Sequence, residues 1–318
     1  MRILLVKLNN LGDTLLLTPA LRLLRSRFPE AWIDVVVRAG CEAVLEGNPD
    51  ASQVITVPGW RAALTVLRRR YEYAFDLSNS DRAKLLVLLS GAKVRGINAR
   101  YDVHGWRREI FNRYSSFDWP REHQVLRDFR TVADVLGIEA TPGPLVFDTS
   151  VEVETPPAPY AVIHSTSRWT YKQWLPERWA AVADFLANKG LKVMFTHGPG
   201  EALHIEKILA SSKNQHLKIK ENLSLRQLGR LIQRARLFLG VDTVAMHIAA
   251  AVQTPSVALF GPSSEWSWRP WQAPHELVLG ECPCKAARNF TCDKSRIYEC
   301  MERIRVDAVC AAAAKFLA

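Results

Sequence analysis

The sequence predicts an α/β protein built from two parallel-sheet halves. Three observations carry this expectation. Strand-like and helix-like segments alternate from the first residues, the alternation stops in a Pro- and Thr-rich stretch, TPGPLVFDTSVEVETPPAP (141–159), and it then restarts. Alternating βα units are the pattern of a parallel sheet covered by helices. A chain of 318 residues is long enough for two domains. The expected boundary separates residues 1–150 from residues 151–318.

Each element has its own local reason. Residues 2–7 (RILLVK) read as a buried strand. Residues 14–28 read as a helix, with Leu15, Leu16, Ala20, Leu23 and Leu24 at helical spacing. WIDVVV (32–37) is a strand and 42–46 a short helix. Strand 53–57 leads to a basic helix at 62–70, strand 73–76 to a helix at 83–89, and 94–97 is a further strand. Residues 99–121 are aromatic and basic without a period. A helix over 122–136 ends near Gly137. After the linker, 160–164 is a strand. The helix 176–188 is opened by Pro176 and closed by Gly190. Strand 192–196 is followed by a helix at 201–210. Ser224 is placed to cap a helix over 224–234. Strand 237–240, helix 243–252 and strand 256–260 follow, and a helix over 305–317 closes the chain. Two such halves facing each other across a cleft suit a small-molecule ligand.

Composition narrows the class. Hydrophobic content of 48% and charged content of 23% describe a globular protein. No run of about 18 uncharged apolar residues appears, so no membrane-spanning helix is expected. The N-terminus lacks the layout of a signal peptide, and a cytoplasmic location is expected. The net charge of +10 points to an anionic partner: nucleic acid, nucleotide, phosphorylated glycan or an anionic membrane face. The charge is concentrated, with twelve Lys/Arg against five Asp/Glu between Arg61 and Arg113.

Four loops carry candidate chemistry. Asn9–Asp13 lies where the first strand hands over to a helix, the edge at which open parallel sheets bind ligands. Gly12 is expected to let the backbone turn tightly there. Asp13 reads as an N-cap or as a functional acid. The loop is not GxGxxG, so the dinucleotide fingerprint is absent. HSTSRWTYKQW (164–174) offers the hydroxyls of Ser165, Thr166 and Ser167 and the charges of Arg168 and Lys172, which suit phosphate oxygens. In HGPGE (197–201), Gly198 permits close approach of a ring or ribose, and Glu201 offers a carboxylate to ribose hydroxyls or a base edge. FLGVDTVAMHIAAAVQTPSVALFGPSS (238–264) puts Asp242 and Thr243 at a helix N-terminus that favours an anion. His247 lies on the same helix face as Thr243.

KLNNLGDTLLLTPAL, RWTYKQWLPERW and GVDTVAMHIAAAVQTPSVALFGPSS, in that order, resemble the lipopolysaccharide heptosyltransferase family. The resemblance runs through nearly the whole chain. The spacing Arg168-Trp169…Lys172…Trp174 and the tail 263–271 are most similar to the branch that adds the third, side-chain heptose. The resemblance implies the GT-B architecture, two Rossmann-like domains facing across a cleft. It implies an inverting, metal-independent transfer of heptose from ADP-heptose to the lipopolysaccharide inner core, with no cofactor. Residues 1–150 would bind the acceptor and 151–318 the nucleotide-sugar, the last helix being able to pack back on the first domain.

By motif match, Asp13 is the catalytic base that takes the acceptor proton. Lys172 stabilises the departing diphosphate, although the loop from Arg168 to Lys172 is one residue longer than in the first inner-core transferase. Thr166, Ser167, Gly198, Glu201, Asp242, Thr243 and His247 belong to the donor site. Asn10, Gly12, Arg61, Arg68, Arg107 and Arg108 are the acceptor candidates, since Arg suits the phosphates and sugar-acid carboxylates of an inner core. No metal site and no nucleic-acid partner are expected. Peripheral contact with an anionic membrane face and a monomeric state are expected.

Cys282, Cys284, Cys292 and Cys300 follow the spacing C-x-C-x7-C-x7-C, which has no CxxC. Free thiols in a packed loop are the first reading, with a structural metal or a local disulfide as alternatives. Two rival functions stand beside the resemblance. One is a transferase of the same architecture using another sugar or acceptor. The other is a nucleic-acid or nucleotide-binding protein, which would leave Asp13 without a role.

Overall fold

The computed structural model describes residues 1–58, 60–101, 104–119, 121–157, 159–213, 218–220, 222–281 and 299–317. The side chains of 60–62, 106–107 and 218–220 are outside this description. The chain forms two compact units, Met1–Asp148 and Thr149–Ala318.

The first unit runs β1 (Arg2–Lys7), α1 (Leu11–Leu16), α2 (Thr18–Arg27), β2 (Trp32–Arg38), β3 (Gln53–Val57), α3 (Trp60–Arg68), β4 (Tyr73–Asp76), α4 (Asp81–Leu89), β5 (Val94–Asn98), β6 (Arg113–Ser115) and α5 (Gln124–Leu136). Its sheet has the order β3-β2-β1-β4-β5-β6, with every pairing parallel. Ile3 to Val6 are fully buried, as a central parallel strand covered on both faces requires.

The second unit runs β7 (Tyr160–His164), α6 (Pro176–Asn188), β8 (Lys192–Thr196), α7 (Ala202–Ser211), β9 (Lys218–Lys220), α8 (Leu225–Gln233), β10 (Leu237–Val241), α9 (Val244–Ala251), β11 (Ser256–Phe260), α10 (Glu265–Trp268), β12 (His275–Leu279), α11 (Glu299–Glu302) and α12 (Val306–Ala314). Its order, β12-β11-β10-β7-β8-β9, is the same topology, again all parallel. Each sheet reverses winding between its first and fourth strands, β1/β4 and β7/β10. At that switch point the loops diverge and leave a crevice outside the carboxyl ends of the strands.

The long first helix expected from the sequence is two helices. Leu17 ends α1 and precedes α2, because Pro19 has no N–H to extend the ladder. The hydroxyl of Thr18 donates instead to the Leu15 carbonyl at 2.8 Å. The strands β6, β9 and β12 were not legible in the sequence. All three lie at sheet edges, where burial on both faces is not required and the apolar run disappears. Ser224 caps α8, its Oγ accepting the Gln227 N–H at 3.2 Å. The last helix, α12, packs against α6, β11 and β12 of its own unit. Arg178 on α6 donates to the Ile304 carbonyl at 2.6 Å and fixes the approach to α12.

Candidate active site

In the second unit the candidate residues gather at the β7/β10 switch point. Lys172 ends a single 3-10 turn, Thr170–Lys172, in the loop after β7. Its Nζ lies 2.6 Å from Asp242 Oδ2, in the loop after β10. Asp242 Oδ1 is 3.9 Å from His247 Nε2, and both side chains are buried. Thr243 is the N-cap residue of α9, and its carbonyl accepts the His247 N–H, so the expected shared face exists. The Asp242 carboxylate therefore tethers the lysine, which sets a cation above a helix N-terminus.

The hydroxyls of Ser165, Thr166 and Thr243 are buried and make no hydrogen bond among the described residues. Buried hydroxyls are ordinarily satisfied, so three at one switch point mark a place prepared for a polar ligand. Ser167 is engaged locally. Its Oγ accepts the Trp169 N–H at 3.2 Å, and its carbonyl accepts from Gln173 Nε2 at 2.8 Å. His164 bonds Thr196 Oγ1 through Nδ1 at 2.9 Å, and burial pushes its pKa down to about 4, so the ring is neutral. Gly240 is required by packing. A Cβ there would come within 2.8 Å of the Phe238 ring and 3.0 Å of the His164 carbonyl oxygen.

A cavity of about 580 Å³ opens beside this array, lined among others by Ser167, Arg168, Gln173, Glu201 and His204. Glu201 is already occupied. Its Oε2 accepts the Gly198 N–H at 2.8 Å and shapes the HGPGE loop. A Cβ on residue 198 would strike that carboxylate at 2.8 Å.

In the first unit, Asp13 stands at the third position of α1, not at the N-cap. The N-cap is Asn10, whose N–H donates to Asp13 Oδ2 at 3.2 Å, as in a capping box. Gly12 lies inside α1 in right-handed backbone, so it makes no tight turn. Asp13 is half-buried and keeps access to solvent.

Sequence reasoning missed the polar cluster around that acid. Lys7, at the end of β1, is 1% exposed and pairs with Asp128 of α5 at 2.7 Å. Its ammonium also donates to the Leu77 carbonyl at 3.0 Å. Gln124 Nε2 donates to the other Asp128 oxygen at 2.9 Å. Arg127 lies over the Trp119 ring at 5.2 Å, and its buried Nε makes no hydrogen bond among the described residues. Burial pushes the Asp128 carboxyl up to about 6, against the pull of Lys7, and the nearby charge of Asp13 pushes the same way. Asp76, at the end of β4, is raised to about 6 by burial. The signal available in the sequence was a lysine closing an apolar strand and an acid on the core-facing side of α5.

Of the four arginines offered as acceptor contacts, the side chains of Arg68 and Arg108 are described. Arg108 is exposed in the 3-10 turn Gly105–Ile110, after β5. Arg68 closes α3, and a βαβ crossover returns that end of the helix to the amino edge of the sheet, away from Asp13. The next residue, Arg69, pairs there with Asp34 at 2.7 Å. The side chains of Arg61 and Arg107 lie outside the described residues, as do Cys282, Cys284 and Cys292. Cys300 lies half-buried in α11.

Two parallel-sheet α/β units with ligand-facing loops at their switch points define a GT-B protein. The profile of glycosyltransferase family 9 (heptosyltransferase) matches residues 60–297. The chain belongs to that family and is a glycosyltransferase. It is 29% identical over 290 residues to lipopolysaccharide heptosyltransferase 3 of Escherichia coli, covering 82% of this chain and 83% of that one. The structure of the E. coli heptosyltransferase WaaC with ADP-2-deoxy-2-fluoro heptose is similar at a TM-score of 0.79 and 19% identity, over 99% of both chains. The dodecameric iron-containing glycosyltransferase TibC of E. coli is similar at a TM-score of 0.62 and 16% identity, over 99% of this chain and 75% of that one.

Proposed function

We propose that this protein transfers a heptose from ADP-heptose to the inner core of lipopolysaccharide, with inversion and without a metal ion. The observation that carries the reading is the Lys172–Asp242–His247 array at the mouth of α9. It supplies positive charge where a nucleotide diphosphate would leave. The family and the lipopolysaccharide heptosyltransferase 3 relative support the choice of sugar.

In the proposed step an acceptor hydroxyl oxygen attacks C1 of the heptose from the face opposite the diphosphate. The C1–O bond breaks and ADP departs with the electron pair. Asp13 takes the hydroxyl proton. Lys172 and the N–H groups opening α9 stabilise the charge that grows on the diphosphate. Ser165, Thr166 and Thr243 offer hydroxyls to its oxygens, and Ser167, Gly198, Glu201 and His247 complete the donor side. Asn10, Gly12, Arg61, Arg68, Arg107 and Arg108 are the candidates on the acceptor side.

No described helix is long and apolar enough to cross a membrane. An acceptor anchored by its lipid would be met by electrostatic contact of the basic chain with an anionic leaflet in the cytoplasm, the protein acting as a monomer.

Thermal-shift titration with ADP, UDP, GDP and CDP tests the donor. A ligand at about 100 times its dissociation constant stabilises the native state by about 2.7 kcal/mol. Selective stabilisation by ADP is expected. Selective stabilisation by UDP or GDP would replace the donor. Transfer abolished by EDTA and restored by magnesium would remove the metal-free step, and proton NMR of the product reads the anomeric configuration.

A further inference from the structure

A helix that covers a sheet buries one face and ordinarily shows water a polar one. The helices α3 and α4 depart from this. Among the described residues, every exposed leucine of the first unit lies on one of them: Leu67 (54%) on α3, Leu85 (50%) and Leu88 (45%) on α4. Leu64 and Leu89 are half-buried. The helix α4 is apolar on both sides. Its Ala83, Leu86 and Val87 are buried in the core of the unit, together with Val66 of α3. Leu85 and Leu88, three positions apart, share the outer stripe.

The two helices lie side by side. In the sheet order β3-β2-β1-β4-β5, the crossovers β3-α3-β4 and β4-α4-β5 step in the same direction. Right-handed connections therefore put both helices on one face of the sheet, where α3 packs against α4. Both begin at the carboxyl edge of the sheet, the edge at which Asp13 stands.

Cations frame the leucines. Arg68 and Arg70 are exposed at the end of α3, Arg82 at the start of α4 and Lys93 just past its end. The sequence of α3 holds no acid and that of α4 only Asp81. This is the stretch in which twelve Lys/Arg stand against five Asp/Glu.

A solitary exposed leucine needs no explanation. Three on two adjacent helices, framed by cations, have the layout of a surface that enters the headgroup layer of a membrane. Apolar side chains reach the acyl boundary while Lys and Arg meet lipid phosphates. Charge decides among the occupants. A second copy docking two-fold on this face would set its arginines against their own kind. A nucleic acid would take the cations and leave the leucines in water. An anionic bilayer takes both.

We propose that the α3–α4 face docks this protein onto an anionic phospholipid bilayer, with Leu67, Leu85 and Leu88 entering the interface and Arg68, Arg70, Arg82 and Lys93 meeting its phosphates. The use of this docking in catalysis rests on the glycosyltransferase reading. A lipid-anchored acceptor in the same leaflet would present its sugars at the carboxyl edge, towards Asp13.

The test is flotation with vesicles of phosphatidylglycerol and phosphatidylethanolamine, free of glycolipid, against vesicles of phosphatidylcholine. The wild type is expected to bind the anionic vesicles at least about tenfold more strongly, and to release them as salt rises. Leu85→Asp with Leu88→Asp is expected to weaken that binding by at least about tenfold. Arg70→Glu with Lys93→Glu leaves the leucines in place and is expected to weaken it by a similar factor at low salt. Leu279→Asp, on β12 of the second unit, binds vesicles as the wild type does. Thermal melting with and without ADP is unchanged in all three variants. Equal vesicle binding by the wild type and both double variants overturns the surface, as does equal binding to anionic and phosphatidylcholine vesicles. A dimer in lipid-free solution that the leucine substitutions break overturns it in favour of a contact between copies. Vesicle binding that depends on these leucines, in a protein that ADP does not stabilise, leaves the surface standing and sinks the donor assignment instead.

Discussion

The ammonium of Lys172 and the carboxylate of Asp242, seventy positions apart in the chain, meet at 2.6 Å across the switch point of the second sheet. Under the proposed function, the pair holds the lysine for the leaving diphosphate. Lys172→Ala is expected to lower kcat by about 100- to 1000-fold. Asp242→Asn, which keeps the shape but unties the amine, is expected to cost less. Steady-state kinetics with saturating donor separates the two, and equal losses would show that Asp242 contacts substrate itself.

Asp13 has an observed capping role and a proposed catalytic one, and one substitution confounds them. Asp13→Ala removes both the proposed proton acceptor and the cap on Asn10. Asp13→Asn retains a side-chain oxygen for the cap. We expect both to reduce transfer by about 100- to 10,000-fold, with ADP binding intact. Only the alanine variant should lose stability, by about 0.5–2 kcal/mol. Turnover near wild type in Asp13→Asn would remove Asp13 as the base.

Breaking the Lys7–Asp128 pair leaves a buried charge without its partner. Lys7→Met alone is expected to destabilise the first unit by about 3–5 kcal/mol, whereas Lys7→Met with Asp128→Leu should recover much of that. Urea denaturation of the three proteins measures the recovery. A double variant as unstable as the single one would mean that the pair is not the source of the loss.

Asp76 gives a pH dependence with a definite sign. Its carboxyl rises from an ordinary 3.8 to about 6 in the folded state, chiefly through burial. Between those values the folded protein binds more protons than the unfolded chain, so this group's contribution to stability falls as pH rises from 4 to 6. The gap corresponds to about 3 kcal/mol. Asp76→Asn should therefore be more stable than the wild type above pH 6, with the difference shrinking towards pH 4. His164, lowered to about 4, acts in the opposite sense in both proteins and cancels from the comparison. A difference that does not change with pH would assign the effect to packing.

Gly240→Ala places a methyl 2.8 Å from the Phe238 ring and 3.0 Å from a backbone oxygen. The backbone oxygen cannot yield as a side chain can. A loss of about 1–3 kcal/mol is expected, with weakened ADP binding because the Asp242 loop follows directly. Thermal melting with and without ADP reads both.

The strands at the centre of each sheet were legible because burial on both faces demands unbroken apolar runs, as in Ile3–Val6 and Val257–Phe260. The edge strands β6, β9 and β12 obey no such demand and left no pattern. At the site, Asp242, Thr243 and His247 were legible because their spacing is set by one helix. The Lys172–Asp242 contact was not, since it joins loops distant in sequence. The same limit hid Lys7, Asp128, Arg127 and Asp76, whose meaning depends on which strand stands beside which.

The repeated strand order has an evolutionary reach. One blueprint, used twice, gives this chain two independent sets of loops, each anchored in its own buried sheet. Under the proposed division of roles, the loops after β7 and β10 can drift towards another nucleotide or sugar while the acid on α1 is left untouched. Recruiting a new donor is then a matter of rewriting loops in one copy, and the proton-accepting chemistry is inherited unchanged by the other.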